Sequence, residues 1–406
     1  MKISLLCYNI PQRLGIHNRD RDDGSRRTIP VAKKLVFVGG GHAHLTCLKN
    51  LHEFKKLGHH ITLISLSPHH YYSGMGPGML SGIYRPQEVR FNIKKMAEDR
   101  GATFEEGKVV RMDPNLRLLF LASGEEISYD VVSFNTGSDV PMESLTSMSY
   151  DNIFPVKPVI NLLKARQTIL NGLREGRRPD FVVVGGGAAG LEITANLWRL
   201  VHEAHGFGKI TNIAGKRLMN GAPERVRDLA MNSFSKRGIE VIEGSYVKTV
   251  ERERVLLDDG RRLLADYVFM AVGIKPSSLF KDSGMPTGRD GGLLVNSCLQ
   301  SVAHPEIFGG GDCISLQGHD LAKVGVYAVR ENPILYHNLH VALEGGTMKP
   351  FIPQETFLLI FNMGNGNGIF WKKNWVWDGR LAFLLKDYID RSFMKKFQVS
   401  GELNEG

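Results

Sequence analysis

Phe181-Val182-Val183-Val184-Gly185-Gly186-Gly187-Ala188-Ala189-Gly190-Leu191-Glu192 reads as a buried strand, a glycine turn and the start of a helix. Phe181 and the valines after it suit a strand covered on both faces. The glycines fill a G-x-G-x-x-G frame: Gly185 permits the tight turn, Gly187 lets a pyrophosphate approach the backbone, and Gly190 lets the helix pack on the strand. The helix N-terminus offers free N–H groups and a partial positive charge to the phosphates. One such frame is a weak signal. The design recurs upstream in Leu35-Val36-Phe37-Val38-Gly39-Gly40-Gly41-His42-Ala43-His44. Two cradles predict an α/β chain with two Rossmann-like dinucleotide-binding domains and two bound dinucleotides.

The chain has 406 residues, enough for two or three domains, and is 42% hydrophobic and 23% charged, a globular balance. No apolar run reaches the ~18 residues of a transmembrane helix. Residues 1–30 have a short apolar start and then a charged tract, and read as a disordered leader rather than a targeting segment. Cys7, Cys47, Cys298 and Cys313 form no C-x-x-C and have no metal-ligand spacing, which predicts reduced cytosolic thiols and no metal site. A net charge of +9 permits anionic ligands or an acidic membrane surface. No nucleic-acid motif accompanies it, so no nucleic-acid partner is expected.

In the first cradle Gly39 and Gly41 hold two glycine positions, but His44 holds the third, which predicts a helix pushed slightly off the strand. His42 and His44 either face the phosphates or cap and pack the helix start. The next strand, 61–65, ends in Ser65 where an acid is expected to hold ribose hydroxyls. Tyr71-Tyr72-Ser73-Gly74-Met75-Gly76-Pro77-Gly78-Met79 is a shaped loop with aromatic and methionine side chains suited to a flat ring. Residues 127–138 form a strand running into a small-residue turn at Thr136 and Gly137, and residues 265–276 repeat that pattern up to Gly273. A crossover is expected over 141–158.

The second cradle also lacks its acid: strand 209–214 is followed by Gly215-Lys216-Arg217, which either receives a 2′-phosphate or is a solvated basic turn. Glu192 would repel a pyrophosphate unless it faces elsewhere; near the helix start it also complements the dipole. Glu306-Ile307-Phe308-Gly309-Gly310-Gly311-Asp312-Cys313 delivers a carboxylate after three glycines, suited to sugar-like hydroxyls. Residues 322–339 read as an apolar helix carrying Arg330. The tail holds Trp371, Trp375 and Trp377, then Leu381, Leu384, Leu385, Tyr388, Phe393 and Phe397 at near-helical spacing, with Lys386, Arg391, Lys395 and Lys396 as a basic side. That is either an interfacial membrane helix or a terminal helix docked on the body.

Residues 34–397 resemble the pyridine nucleotide–disulfide reductase superfamily, most closely type II NADH:quinone oxidoreductases and the NADH-dehydrogenase-like flavoprotein fused to selenide water dikinase. The resemblance rests on Gly39-Gly40-Gly41-His42-Ala43-His44, Tyr72-Ser73-Gly74-Met75, Ala271-Val272-Gly273, Gly311-Asp312, Ala328-Val329-Arg330 and Asp387-Tyr388-Ile389-Asp390-Arg391-Ser392-Phe393-Met394. It implies a glutathione-reductase-like, three-layer fold. An FAD domain would span 31–150 and 267–340, an NAD(P)H domain 151–266, and a C-terminal extension 341–406. It implies FAD in the first cradle, with Ser65, Tyr72, Ser73, Gly74, Thr136, Gly137, Gly273, Gly311 and Asp312 around it, and NAD(P)H at Gly185, Gly187 and Gly190. Glu192 would be the catalytic residue, near the contact of nicotinamide and flavin. A helix over 323–330, with Lys323, would line the quinone side.

The missing C-x-x-C removes a dithiol relay. The expected reaction is hydride transfer from NAD(P)H to flavin, then electron transfer to a quinone or other small acceptor, in the cytoplasm or on a membrane face through the tail. Two other classes stay open: a soluble flavin reductase or accessory module, and a non-catalytic dinucleotide sensor. The oligomeric state is left open.

Overall fold

Two five-stranded sheets carry the two glycine frames. The computed structural model describes residues 31–141 and 151–405; the leader expected over 1–30, and the 142–150 part of the expected crossover, lie outside the described residues. From Ala32 onward the chain is one structural unit.

In the first sheet the strand order is Ile307–Gly309, Val131–Phe134, Lys34–Val38, His60–Ser65, Thr103–Glu106. In the second it is Ile153–Pro155, Tyr267–Met270, Asp180–Val184, Lys209–Ile213, Glu240–Ile242. Every pairing within these sheets is parallel. The strand entering each frame is central and buried, which explains its unbroken apolar run. Val131–Phe134 and Tyr267–Met270 flank the frame strands in the same way, so the repeated sequence pattern marks one structural position used twice. The fold is α/β with two Rossmann-like units, and each frame opens at the carboxyl ends of its strands, where such sheets take ligands. The first sheet is completed by chain that returns from residue 307 onward.

Two glycines show why the turns need this residue. Gly39 has φ +87° and Gly185 φ +134°. A Cβ on Gly39 would lie 2.3 Å from the Asn135 carbonyl oxygen, and one on Gly185 2.3 Å from that of Ala271. The helix Ala188–Glu203 follows the second frame and buries Leu191, Ile193, Leu197 and Leu200, each worth about 1.5–3 kcal/mol.

Three local expectations change. The residue at the third glycine position of the first frame does not push an α-helix outward. The chain forms a 3₁₀ turn, His42–His44, and then short helices Leu45–Lys49 and Leu51–Lys56 that break at Asn50. The helix expected over 322–339 begins only at Gly325 and runs to Glu344, so Lys323 lies before it. The tail forms an antiparallel sheet of Leu359–Asn362, Gly368–Lys372 and Trp375–Gly379, followed by the helix Arg380–Phe397.

That last helix is docked on the body, with Ala382, Lys386, Asp390, Met394 and Phe397 inward. Lys386 therefore leaves the expected basic side. Leu381, Leu384 and Tyr388 face outward, exposed by 73%, 48% and 62%. Among the described residues no helix is long and apolar enough to cross a membrane.

Candidate functional site

The first frame is closed from above by Asn135, which follows the Val131–Phe134 strand. Its N–H donates to the Val38 carbonyl at 2.8 Å. Its amide side chain lies against two glycines: a Cβ on Gly41 would fall 2.6 Å, and one on Gly311 2.8 Å, from Asn135 Oδ1. Two buried polar atoms at this turn, Asn135 Nδ2 and His42 Nε2, have no hydrogen-bond partner. Such an atom costs about 1–3 kcal/mol, and a polar ligand over the frame removes that cost.

His42 and His44 part company. Burial lowers the His42 pKa to about 4, with Lys157 adding to the effect, so the ring is neutral near pH 7. It lies among His70, Tyr72 and Phe393, at ring-centroid distances of 4.8, 5.3 and 6.0 Å. His44 turns inward against Phe37. Its Nδ1 is 2.6 Å from the Gly39 carbonyl and its Nε2 is 2.8 Å from Ser133 Oγ. Both ring nitrogens are engaged by the protein. His44 therefore holds the turn and has none left for a phosphate, so of the two readings the packing one applies to this residue.

Asp312 is reached by two groups that sequence reasoning missed. Lys157 Nζ lies 2.6 Å from Asp312 Oδ2, and Ser138 Oγ donates to the same oxygen at 2.8 Å. The neighbouring Gly311 N–H donates to Glu331 Oε2 at 2.5 Å. Glu331 is fully buried, and burial raises its carboxyl pKa to about 7. Glu331 is also new; nothing local marks it, because its partner lies twenty residues away. Lys323 pairs with Asp290 Oδ2 at 2.7 Å and donates to the Ile314 carbonyl.

Ser65 ends its strand in register with Glu106, so the nearest carboxylate across that edge comes from the adjacent strand. Thr136 and Gly137 continue the turn after Asn135, with Gly137 at φ +72° and open space beside it. Tyr72 OH donates to Asp390 Oδ1 at 3.0 Å, and its ring lies over Gly74, where a Cβ would fall 2.8 Å away. Ser73 opens the 3₁₀ turn Ser73–Met75 and faces the start of the Gly325–Glu344 helix.

In the second frame Gly187 stands clear: an added Cβ meets nothing within 4 Å, and the same holds at Gly273. Gly190 is tight, since its Cβ would lie 1.9 Å from the Gly185 carbonyl oxygen. Glu192 does not stand free in this frame. Its Oε1 accepts the Asn362 N–H at 2.7 Å. Burial raises its pKa, against the pull of Lys386 and the Asn362 N–H. Asn196 donates to the Glu192 and Asn362 carbonyls, and Ser81 Oγ donates to Asn196 Oδ1.

Lys386 Nζ donates to Asp390 Oδ2 and to the Gly74 carbonyl, each at 2.9 Å. Burial opposes its charge, but Asp390 and Glu192 outweigh that and raise its pKa. Asp390 is itself raised, by burial above all. The Tyr72 loop, the helix behind the second frame and the terminal helix thus meet in one buried polar cluster.

A family profile described as pyridine nucleotide-disulphide oxidoreductase matches residues 33–338. The chain belongs to that family. Among curated relatives, ferroptosis suppressor protein 1 of Taeniopygia guttata is 26% identical over 93% of this chain and 99% of its own. The type II NADH:quinone oxidoreductase of Haemophilus influenzae is 22% identical over 70% and 74%. Among solved structures, NDH2 from Plasmodium falciparum in complex with NADH superposes with a TM-score of 0.77 at 15% identity, over 91% of this chain and 98% of that one.

Family members bind FAD and NAD(P)H, and these are the cofactors here; the chain is an FAD-dependent oxidoreductase acting on NAD(P)H. The first frame fits FAD through its two orphaned polar atoms, and the second fits a dinucleotide through the open face of Gly187.

Proposed function

We propose that the protein is an NAD(P)H:quinone oxidoreductase with FAD over the first frame and NAD(P)H over the second. The NAD(P)H domain runs past the expected boundary at 266, because Tyr267–Met270 pairs within the second sheet; the FAD domain comprises the chain from 31 to 150 and the return after that strand up to 340, and the rest is the terminal extension. FAD, when bound, would supply a two-electron carrier between the hydride of NAD(P)H and a quinone, whose reduction to the quinol takes the proton of that hydride and a second proton from solvent. The protein's part is positioning.

Gly39, Gly41, Asn135 and His42 would hold the pyrophosphate of FAD. Asp312, fixed by Lys157, takes ribityl hydroxyls, and Ser65 lies at the adenosine ribose. Thr136, Gly137, Tyr72, Ser73 and Gly74 would bring backbone and an aromatic face to the ring, Gly273, which follows Tyr267–Met270 of the second sheet, would bring backbone to the nicotinamide dinucleotide, and Lys323 steadies the loop beyond Asp312. Glu192 is a positioning residue, tying the nicotinamide helix to the terminal segment through Asn362.

The observation that carries this reading is the pair of glycine frames, each following the central strand of its own five-stranded parallel sheet. The thiols support it: among the described residues Cys47, Cys298 and Cys313 are unpaired, and burial pushes Cys47 and Cys313 up, away from reactive thiolate. Purified FAD-loaded protein is expected to lose its yellow colour anaerobically with NADH or NADPH and regain it with a water-soluble quinone. Colour that survives both nicotinamides leaves only the sensor reading.

The terminal helix carries the membrane half of the proposal. Leu381, Leu384 and Tyr388, with Trp375 exposed by 67%, give an outward apolar strip, and Lys395 and Lys396 are exposed near the helix end. Leu381→Glu with Leu384→Glu is expected to cut flotation with anionic vesicles about tenfold or more, by loss of the transfer energy of two leucines. Activity with a water-soluble quinone should hold. Parent protein that never floats favours the soluble flavin-reductase reading.

A further inference from the structure

We propose that the second frame selects the 2′-phosphorylated nicotinamide dinucleotide through Lys216. This deepens the proposed function and rests on it. The strand Lys209–Ile213 ends beside the glycine frame: a Cβ on Gly186 would fall 2.4 Å from the Ala214 carbonyl oxygen, and the Met219 N–H donates to the Gly186 carbonyl at 2.6 Å. The adenosine ribose of a dinucleotide lies at this strand end, where a carboxylate accepts the 2′-hydroxyl or a cation meets the 2′-phosphate.

Among the described residues, the carboxylates around this strand end are engaged by other partners. Glu243, at the end of the adjacent strand, accepts the Leu218 N–H and pairs with Arg227, each at 2.7 Å. Asp258 accepts the Tyr246 N–H at 2.9 Å, and Asp259 pairs with Arg261 at 2.7 Å. Glu224 faces Arg217 at 2.6 Å.

The cations are placed for the second role. Gly215 has φ +65°, turning the chain immediately after the strand. Lys216 follows it, exposed, and no ion pair or hydrogen bond engages its ammonium among the described residues. Arg217 pairs with Glu224, whose side chain is 60% exposed. A pair that exposed is worth at most about 1 kcal/mol, so a phosphate dianion competes for the guanidinium. Tyr246, 55% exposed, lies against Gly215 and offers a flat face to an adenine. A ribose hydroxyl gains little from this basic turn. A phosphate there gains charge-assisted hydrogen bonds.

The test is calorimetric titration of full-length, FAD-loaded protein with 2′,5′-ADP and with 5′-AMP. The parent is expected to bind 2′,5′-ADP about tenfold or more tightly than 5′-AMP, as one charge-assisted contact implies. Lys216→Glu should bring the two affinities within about twofold, by loss of the 2′-phosphate contact and gain of an acceptor for the 2′-hydroxyl, with flavin content unchanged. Equal affinities in the parent overturn the inference while leaving the nicotinamide site intact. A preference that survives Lys216→Glu removes Lys216 from it. If neither ligand binds, the nicotinamide assignment of the second frame falls, and the inference with it.

Discussion

Gly187→Val should leave FAD content unchanged and cut flavin reduction by NAD(P)H about a hundredfold or more. The backbone does not resist the change: Gly187 has φ −84°, which a valine adopts freely. Nor does packing resist it, because an added Cβ meets nothing within 4 Å. The isopropyl group would instead stand where the pyrophosphate approaches the turn, and two charge-assisted hydrogen bonds lost there amount to roughly 3 kcal/mol or more. The measurement is the concentration of NADH or NADPH needed for half-maximal anaerobic bleaching, alongside the flavin-to-protein ratio. Gly185→Val is the contrasting control: φ +134° and the Ala271 carbonyl at 2.3 Å make it a folding defect. Equal loss of flavin in Gly187→Val would show that the frames are assigned to the wrong dinucleotides.

That contrast also shows what sequence could deliver. The glycine frames and their apolar strands are local signals, so both sheets could be anticipated from residues 35–44 and 181–192 and from the strand-to-turn pattern shared by residues 127–138 and 265–276. Contacts between distant segments could not. Lys157 meets Asp312 across 155 residues, and Lys386 meets Gly74 across 312. Nothing near either lysine marks its partner.

Residue type alone does not decide side-chain direction. A lysine on an amphipathic helix reads as solvated, yet Lys386 faces inward beside Asp390, while leucines at 381 and 384 face out. A histidine at a glycine position leaves both phosphate contact and packing open, and the 3₁₀ turn at residues 42–44 gives His44 two protein partners. In both cases the buried hydrogen-bonding needs of other segments decided the side chain's direction. Such needs belong to tertiary structure.

The inward Lys386 yields the second large effect. Lys386→Met removes the cation from a cluster whose carboxylates, Asp390 and Glu192, are both buried. Breaking a buried pair in this way costs about 3–5 kcal/mol, because the remaining charge has no compensation. The loss should depend on pH, and its sign follows from the pKa directions. Burial already raises Glu192 and Asp390, and Lys386 is what opposes that rise. Without it both rise further. Between the unfolded and the raised folded pKa values the native state then binds more protons than the unfolded chain, so stability falls as pH rises through that window.

The variant should therefore lie closest to the parent in mild acid and furthest from it near pH 8. Denaturant unfolding of both proteins at several pH values measures this. Lys386→Met with Asp390→Leu should recover part of the loss, since an apolar pair replaces a buried ionic one and only Glu192 remains to be neutralised. A variant as stable as its parent at pH 8, or a deficit that does not change with pH, would mean that Lys386 reaches water and that the terminal helix is held by Met394 and Phe397 alone.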